Sequence, residues 1–277
     1  MREKDVPELL PEAGGSGAGG DRRQRPERSR RTPAAPRRPA RGLTSVSLQS
    51  GSESPLRLPK VITIDGPSAS GKGTLSRRLA AEFGCVYVDT GAMYRTLAWW
   101  ALQTGLRCQK PMSDADELAI VRLMRRWKAE VRVIDGQAWL HVNGYLPATE
   151  IRSDRVEKAV PVVAQITKVR DWMVARQRDC TVLGPLVMEG RDIGTEVFPL
   201  APVKFFLEAD EAVRQARLSG RGNTESIGAT RDAMDATRRK GALYPALDAV
   251  RIDNTQQTPD ETYAILRQHV LSRFQPF

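Results

Sequence analysis

The chain predicts an α/β protein organised around a doubly wound, mostly parallel sheet. Short apolar runs of strand type recur at Val61–Asp65, Cys85–Val88, Pro185–Met188, Val203–Leu207 and Ala249–Ile252. Segments with helical apolar spacing lie between them, the alternation expected of a parallel sheet with helices on its faces. The first run also passes through a glycine-rich turn straight into an amphipathic helix. That sequence of strand, turn and helix sets the topology and gives the first chemical clue.

Val61-Ile62-Thr63-Ile64-Asp65 has the continuous apolar character of a buried strand, and Leu75, Leu79, Ala80 and Phe83 mark one face of the helix that follows. Between them lies Gly66-Pro67-Ser68-Ala69-Ser70-Gly71-Lys72-Gly73-Thr74. Glycines there let backbone N–H groups converge on phosphate oxygens, the helix start adds partial positive charge, and Lys72 supplies a point charge. The stretch therefore predicts a nucleoside triphosphate site. In the simplest form of this motif Ser or Thr directly follows the lysine, whereas here Gly73 intervenes before Thr74. The Gly-Lys-Gly-Thr variant resembles that of the nucleoside monophosphate kinases, which narrows the class to transfer onto a small acceptor.

Gly84 stops the first helix, and the next strand ends in Asp89-Thr90-Gly91-Ala92-Met93-Tyr94-Arg95. Polar residues at the carboxyl end of a parallel strand lie where ligands bind in open sheets. Around Val131–Val142 the apolar period changes to two, with Asp135-Gly136 and Asn143-Gly144 as turn signals, so a small antiparallel excursion should interrupt the parallel core. Ser153 caps a helix carrying Val156 and Val160, which Pro161 should interrupt or restart. A second helix through Val169, Trp172 and Met173 brings Arg170 with it. The Pro185–Met188 strand leads into Glu189-Gly190-Arg191-Asp192-Ile193-Gly194, and Thr258-Pro259-Asp260-Glu261 opens the last helix. Arg95 and Arg191, just after buried strands, are the better anion ligands. Arg214, Arg217 and Arg221 are more readily read as solvated surface charges.

Composition limits the alternatives. The first 60 residues hold thirteen basic and seven acidic side chains and so supply more than half of the net charge of +10. Ala13–Gly20 contains only Gly, Ala and Ser, and Arg22–Arg41 is rich in Arg and Pro. Such a segment cannot bury enough apolar surface to offset its ordering entropy, so residues 1 to about 58 are expected to be a disordered tail. A nucleic-acid role for it is the weaker reading, because prolines and acids interleave its basic residues. No apolar run reaches the roughly 18–20 residues of a membrane span. Cys85, Cys108 and Cys180 stand far apart without metal-type pairing, as buried thiols of a reducing compartment would, and the expected location is cytoplasmic. Only His141 and His269 occur, which disfavours histidine-based metal or triad chemistry.

From Val61 to the C-terminus the chain resembles the bacterial cytidylate kinases. The resemblance rests on Val61–Thr74, Asp89–Arg95, Gly190-Arg191-Asp192-Ile193-Gly194-Thr195, Val197-Phe198-Pro199 and Arg231-Asp232…Asp235-Ala236-Thr237-Arg238. It implies a P-loop core from residue 59 to 277, with a monophosphate-binding insert at about 120–168 and a short lid at about 217–232. It also implies transfer of the γ-phosphoryl group of ATP to CMP or dCMP with Mg²⁺, by an enzyme that is monomeric by default. On matched positions, Gly66, Pro67, Ser68, Ala69, Ser70, Gly71, Lys72, Gly73, Thr74 and Arg217 would bind ATP, with Thr74 near the metal. Arg95, Arg191 and Arg238 would grip the acceptor phosphate, with Thr90 and Tyr94 beside the nucleoside. Arg231 and Asp235 would reach the sugar hydroxyls, and Arg170 and Asp192 would read cytosine. Lys72, Arg191 and Arg238 are the expected catalytic residues. A carboxylate suits the N4 amino group of cytosine and repels the carbonyl that uracil offers there. No general base is required when the acceptor is already an anionic phosphate.

Departures from the family pattern carry expectations of their own. Pro161 stands where a serine commonly helps to read the base, and Thr167 replaces a proline shortly before Arg170. The lid segment Arg221–Arg231 is short and rich in Gly, Ser and Asn, while Met234 and Ala236 stand where charges are frequent. Weaker base discrimination or slower closure would follow. The rival readings are a kinase of UMP or another small acceptor, and a non-catalytic nucleotide sensor with a nucleic-acid-binding tail. The acceptor-side arginines count against the sensor.

Overall fold

A computed structural model describes residues 61–220, 232–235, 237 and 241–273. The expected disordered tail, most of the expected lid, Arg231 and Arg238 lie outside these described residues. Seven strands form one sheet in the order β3-β4-β2-β5-β1-β6-β7. They are β1 (Val61–Asp65), β2 (Val86–Asp89), β3 (Ala129–Ile134), β4 (Gln137–Val142), β5 (Leu186–Gly190), β6 (Val203–Glu208) and β7 (Val250–Asp253). All neighbours run parallel except β3 and β4. The β3–β4 hairpin does not interrupt the parallel core as expected. It extends the sheet at one edge, because β4 pairs in parallel with β2 through Tyr87 and Val88.

Alternation along the strands divides the core between the two faces. Val61, Val88, Leu186 and Met188 face one apolar cluster, which they share with Leu97, Val163, Val169 and Met173. These come from α2 (Thr90–Gln103), α4 (Asp154–Val163) and α5 (Thr167–Asp179). Ile62, Ile64, Val187 and Phe205 face the other cluster, with Leu75, Leu79 and Leu266 from α1 (Lys72–Glu82) and from the C-terminal helix Pro259–Arg273. Helices on both faces make the sheet doubly wound, and both β1 and β5 are central.

Local chemistry explains three of the helix starts. Asp89 caps α2, its side chain accepting from the Ala92 amide at 2.8 Å. Helix α3 (Asp114–Arg125) was not among the expected elements. It is a surface helix with Ile120, Val121 and Met124 as its buried face, begun by a Ser113 cap. Pro161 does not interrupt α4, contrary to expectation. It sits in the last turn, where its missing N–H deprives only one carbonyl, and the helix ends two residues later. Beyond β6 come α6 (Glu211–Ser219) and, after β7, α7 (Pro259–Arg273). Thr258 and Glu261 form a reciprocal cap at the start of α7: the Thr258 amide donates to Glu261 Oε2 at 2.8 Å and the Glu261 amide to Thr258 Oγ1 at 3.2 Å. The three cysteines are buried free thiols. Among the described residues no helix is long and apolar enough to cross a membrane.

Candidate active site

The carboxyl ends of β1, β2 and β5 carry the phosphate loop, Asp89 and Glu189–Asp192 respectively, so the candidate residues converge at one edge of the sheet. The loop leaves β1 at Gly66, whose φ of 146° suits glycine and whose Cβ would strike the carbonyl of Leu207 on β6. Lys72, buried at the first turn of α1, folds back over the loop and donates to the Pro67 carbonyl at 2.6 Å and to Ser70 Oγ at 3.3 Å. The far side of the loop is fastened by Asn254, which Arg217 in turn holds. Asn254, just after β7, donates from Nδ2 to the Ser70 carbonyl at 2.9 Å, and Arg217 on α6 donates to Asn254 Oδ1 at 3.0 Å and to its carbonyl at 3.1 Å.

Gly73 occupies the position that commonly carries a hydroxyl, and a Cβ there would lie 3.0 Å from Glu189 Oε1. Glu189 is held by Tyr87, whose hydroxyl donates to the same oxygen at 2.5 Å. Burial first and then the nearby Asp89 push the Glu189 pKa up, while Lys72 pulls against them. Thr74 is exposed on α1, so Gly73, not Thr74, is the residue facing this carboxylate.

Across from the loop, Arg95, Arg170 and Arg191 each meet an acid. Arg95 Nη2 donates to Asp89 Oδ2 at 2.9 Å, and Glu157 of α4 lies 3.7 Å from its other terminal nitrogen. Burial works against the charge on Arg95, but Asp89 and then Glu157 outweigh it and hold the pKa above its ordinary value. Thr90 Oγ1 donates to the Glu189 carbonyl at 2.7 Å, tying α2 to β5. Arg170, brought in by α5 and only 1% exposed, pairs with Asp192, and its Nη1 reaches Tyr94 Oη at 3.4 Å. Arg191 Nε donates to Asp235 Oδ2 at 3.0 Å and its Nη2 donates to Ser68 Oγ at 2.9 Å. Arg191 therefore touches both the phosphate loop and Asp235 of the paired-charge cluster.

Several residues here escaped the sequence reading. Asp65 is buried at the end of β1 and accepts from the Ile193 and Gly194 amides at 2.9 and 2.7 Å, which sets the turn that aims Arg191 and Asp192. Burial raises its pKa to about 7 against the pull of those two amides. Asp232 accepts from the Ser68 amide at 2.9 Å and pairs with Arg214. Burial raises the Asp232 pKa, yet Arg191 and then the Ser68 amide overcome this and leave it below the usual range. Arg214 is no solvated charge, contrary to expectation, because its Nη1 also donates to the Ser68 carbonyl at 3.2 Å. An acid ending an apolar-rich strand was the one available signal for Asp65. For the bonds of Arg214 and Asp232 to Ser68 no local signal existed.

A phosphate loop joined through one arginine to a second, acid-buffered set of arginines defines a phosphate-loop kinase. The family model for cytidylate kinase matches residues 62–271. The cytidylate kinase of Geobacillus sp. (strain WCH70) is 40% identical over 210 residues, covering 72% of this chain and 91% of that protein. That of Geobacillus thermodenitrificans is 39% identical, covering 76% and 96%, and that of Nocardia farcinica 36%, covering 73% and 90%. The chain belongs to the cytidylate kinase family.

Proposed function

We propose that this protein transfers the γ-phosphoryl group of ATP to CMP or dCMP, giving ADP and CDP or dCDP. The observation that carries this reading is Arg191, which donates to Ser68 of the phosphate loop and to Asp235 while its chain neighbour Asp192 pairs with Arg170. Phosphoryl transfer asks mainly for alignment of donor and acceptor and for fixed cations around the migrating group. Loop amides of residues 66–74 and Lys72 would hold the ATP phosphates, with Arg217 bracing the loop from α6. Arg95, Arg191 and Arg238 would take the acceptor phosphate, displacing the acids that now neutralise Arg95 and Arg191. Asp192 would accept from the cytosine N4 amino group while Arg170 donates to its O2 and N3. Thr90 and Tyr94 would flank the nucleoside, and Arg231 and Asp235 would meet the sugar.

The residues fit a Mg²⁺ ion carried with ATP, because the half-buried Glu189 carboxylate faces the gap left by Gly73 beside the loop. Glu189, held by Tyr87, is better placed than the exposed Thr74 to orient such an ion. When bound, the cation would neutralise phosphate charge. The reading makes the protein a monomeric enzyme of pyrimidine nucleotide metabolism, and its three buried free thiols suit the cytoplasm. Base discrimination is expected to be looser than in relatives with a serine at the Pro161 position.

The test is ADP formation coupled to NADH oxidation across CMP, dCMP, UMP, AMP and GMP. CMP and dCMP should be the preferred acceptors. Absence of ATP-dependent phosphorylation of any monophosphate would remove the kinase reading, and a preference for UMP would reassign the base.

A further inference from the structure

The Arg170–Asp192 pair lies beneath the backbone of Gly241, a residue that none of the assigned roles uses. Gly241 has a φ of 66°, in the left-handed region that favours glycine. A Cβ at this position would land within the terminal atoms of both partners, 2.5 Å from Arg170 Cζ and closer still to Arg170 Nη2 and Asp192 Oδ2. These atoms cannot give way easily. Arg170 is 1% exposed and Asp192 6%, and the guanidinium is also held at Nη1 by Tyr94. Arg170 Nε is buried without a hydrogen-bond partner. The same segment is tied to the phosphate side of the site: the Leu243 amide donates to the Asp235 carbonyl at 3.1 Å, and Asp235 holds Arg191.

We propose that Gly241 is a specificity-determining position for the acceptor base. Its lack of a side chain lets the chain close directly over the Arg170–Asp192 pair and fix the plane in which the pair meets the base. Any larger residue would push the two side chains apart. This inference rests on the kinase reading above and adds to it a residue that acts by positioning the base-reading pair. A displacement of about 1 Å at a recognition group can cost about a hundredfold in rate.

Gly241→Ala should therefore raise the KM for CMP about tenfold or more and move the CMP-over-UMP ratio of kcat/KM towards one, on the scale set by such displacements. The KM for ATP should stay within about twofold, since the atoms nearest a Cβ at residue 241 belong to Arg170 and Asp192. A folded variant whose CMP KM and base ratio match the parent protein overturns the proposal. So does an equal loss for both substrates. If the parent protein itself fails to phosphorylate CMP, the kinase reading fails instead, and the two failures are distinct. Should Gly241→Ala not melt cooperatively, the parent protein decides through its Gly241 amide resonance. That resonance should shift with CMP and not with ribose 5-phosphate, which lacks a base. Equal shifts with the two ligands overturn the proposal.

Discussion

The donor and acceptor halves of the site are built on different physical plans. The donor half is one contiguous loop whose shape comes from backbone geometry and from side chains bonded to its own amides and carbonyls, such as Asn254 to the Ser70 carbonyl and Asp232 to the Ser68 amide. The acceptor half draws Arg95, Arg170, the Arg191–Asp192 turn and Asp235 from separate elements and holds them in paired charges. Backbone amides need no counter-charge, because each is a fixed dipole. Buried guanidiniums do need one, since an unpaired buried charge is costly. The donor half is therefore preset, whereas the acceptor half carries internal carboxylates that an anionic substrate must replace.

The sharpest way to break this contrast is at the residue shared by both halves. Arg191→Ala should lower kcat/KM about a hundred- to a thousandfold, as loss of a preorganised charge donor does. It should raise the KM for both ATP and CMP, because Arg191 also binds Ser68. An effect confined to CMP would show that the halves are energetically separate. Asp192→Ala comes next, with a loss of CMP-over-UMP preference of about tenfold or more and an unchanged KM for ATP. Steady-state kinetics with both acceptors checks it, and equal losses for ATP and CMP would contradict the base-reading role.

A smaller effect concerns the strut between the halves. The folded-state pKa of Asp65 is raised to about 7 from an ordinary 3.8, so the folded protein binds this proton more tightly than the unfolded chain. Its contribution should be fully present below about pH 4, decline as pH rises to about 7, and stay flat above that. The stability of the parent protein relative to Asp65→Asn should follow that curve in urea melts, with a slope of at most about 1.4 kcal/mol per pH unit. A difference that is constant from pH 4 to 8 would contradict it. The smallest effect belongs to the neutral brace: Asn254→Ala should cost about 1 kcal/mol of stability and raise the KM for ATP a few-fold, with that for CMP unchanged. Differential scanning calorimetry and initial-rate kinetics would register it.

The same contrast governs what could be read before the fold was known. The phosphate loop was legible because the groups proposed to bind phosphate are consecutive amides and one lysine, so sequence order and spatial order coincide. Strand positions were legible to within a residue or two from their apolar runs. Pro161 was misjudged because a proline breaks a helix only where the lost N–H matters, and distance from the helix end is not visible locally. Arg214 looked like a surface charge for the same kind of reason. Its partners Ser68 and Asp232 are remote in sequence, and only the crossing of α6 over the loop joins them.

The amino-acid order by itself determined the layered sheet, the phosphate loop and the family resemblance, since each depends on periodicity or on neighbours along the chain. Only the tertiary structure decided which acids neutralise which arginines. It alone showed that Asp65 aims the Arg191–Asp192 turn, that Gly73 opens towards Glu189, and that Gly241 closes on the Arg170–Asp192 pair. Charge pairing and steric closeness act over a few ångströms in space, and it is the packing of the sheet edge that brings these separated residues within that range.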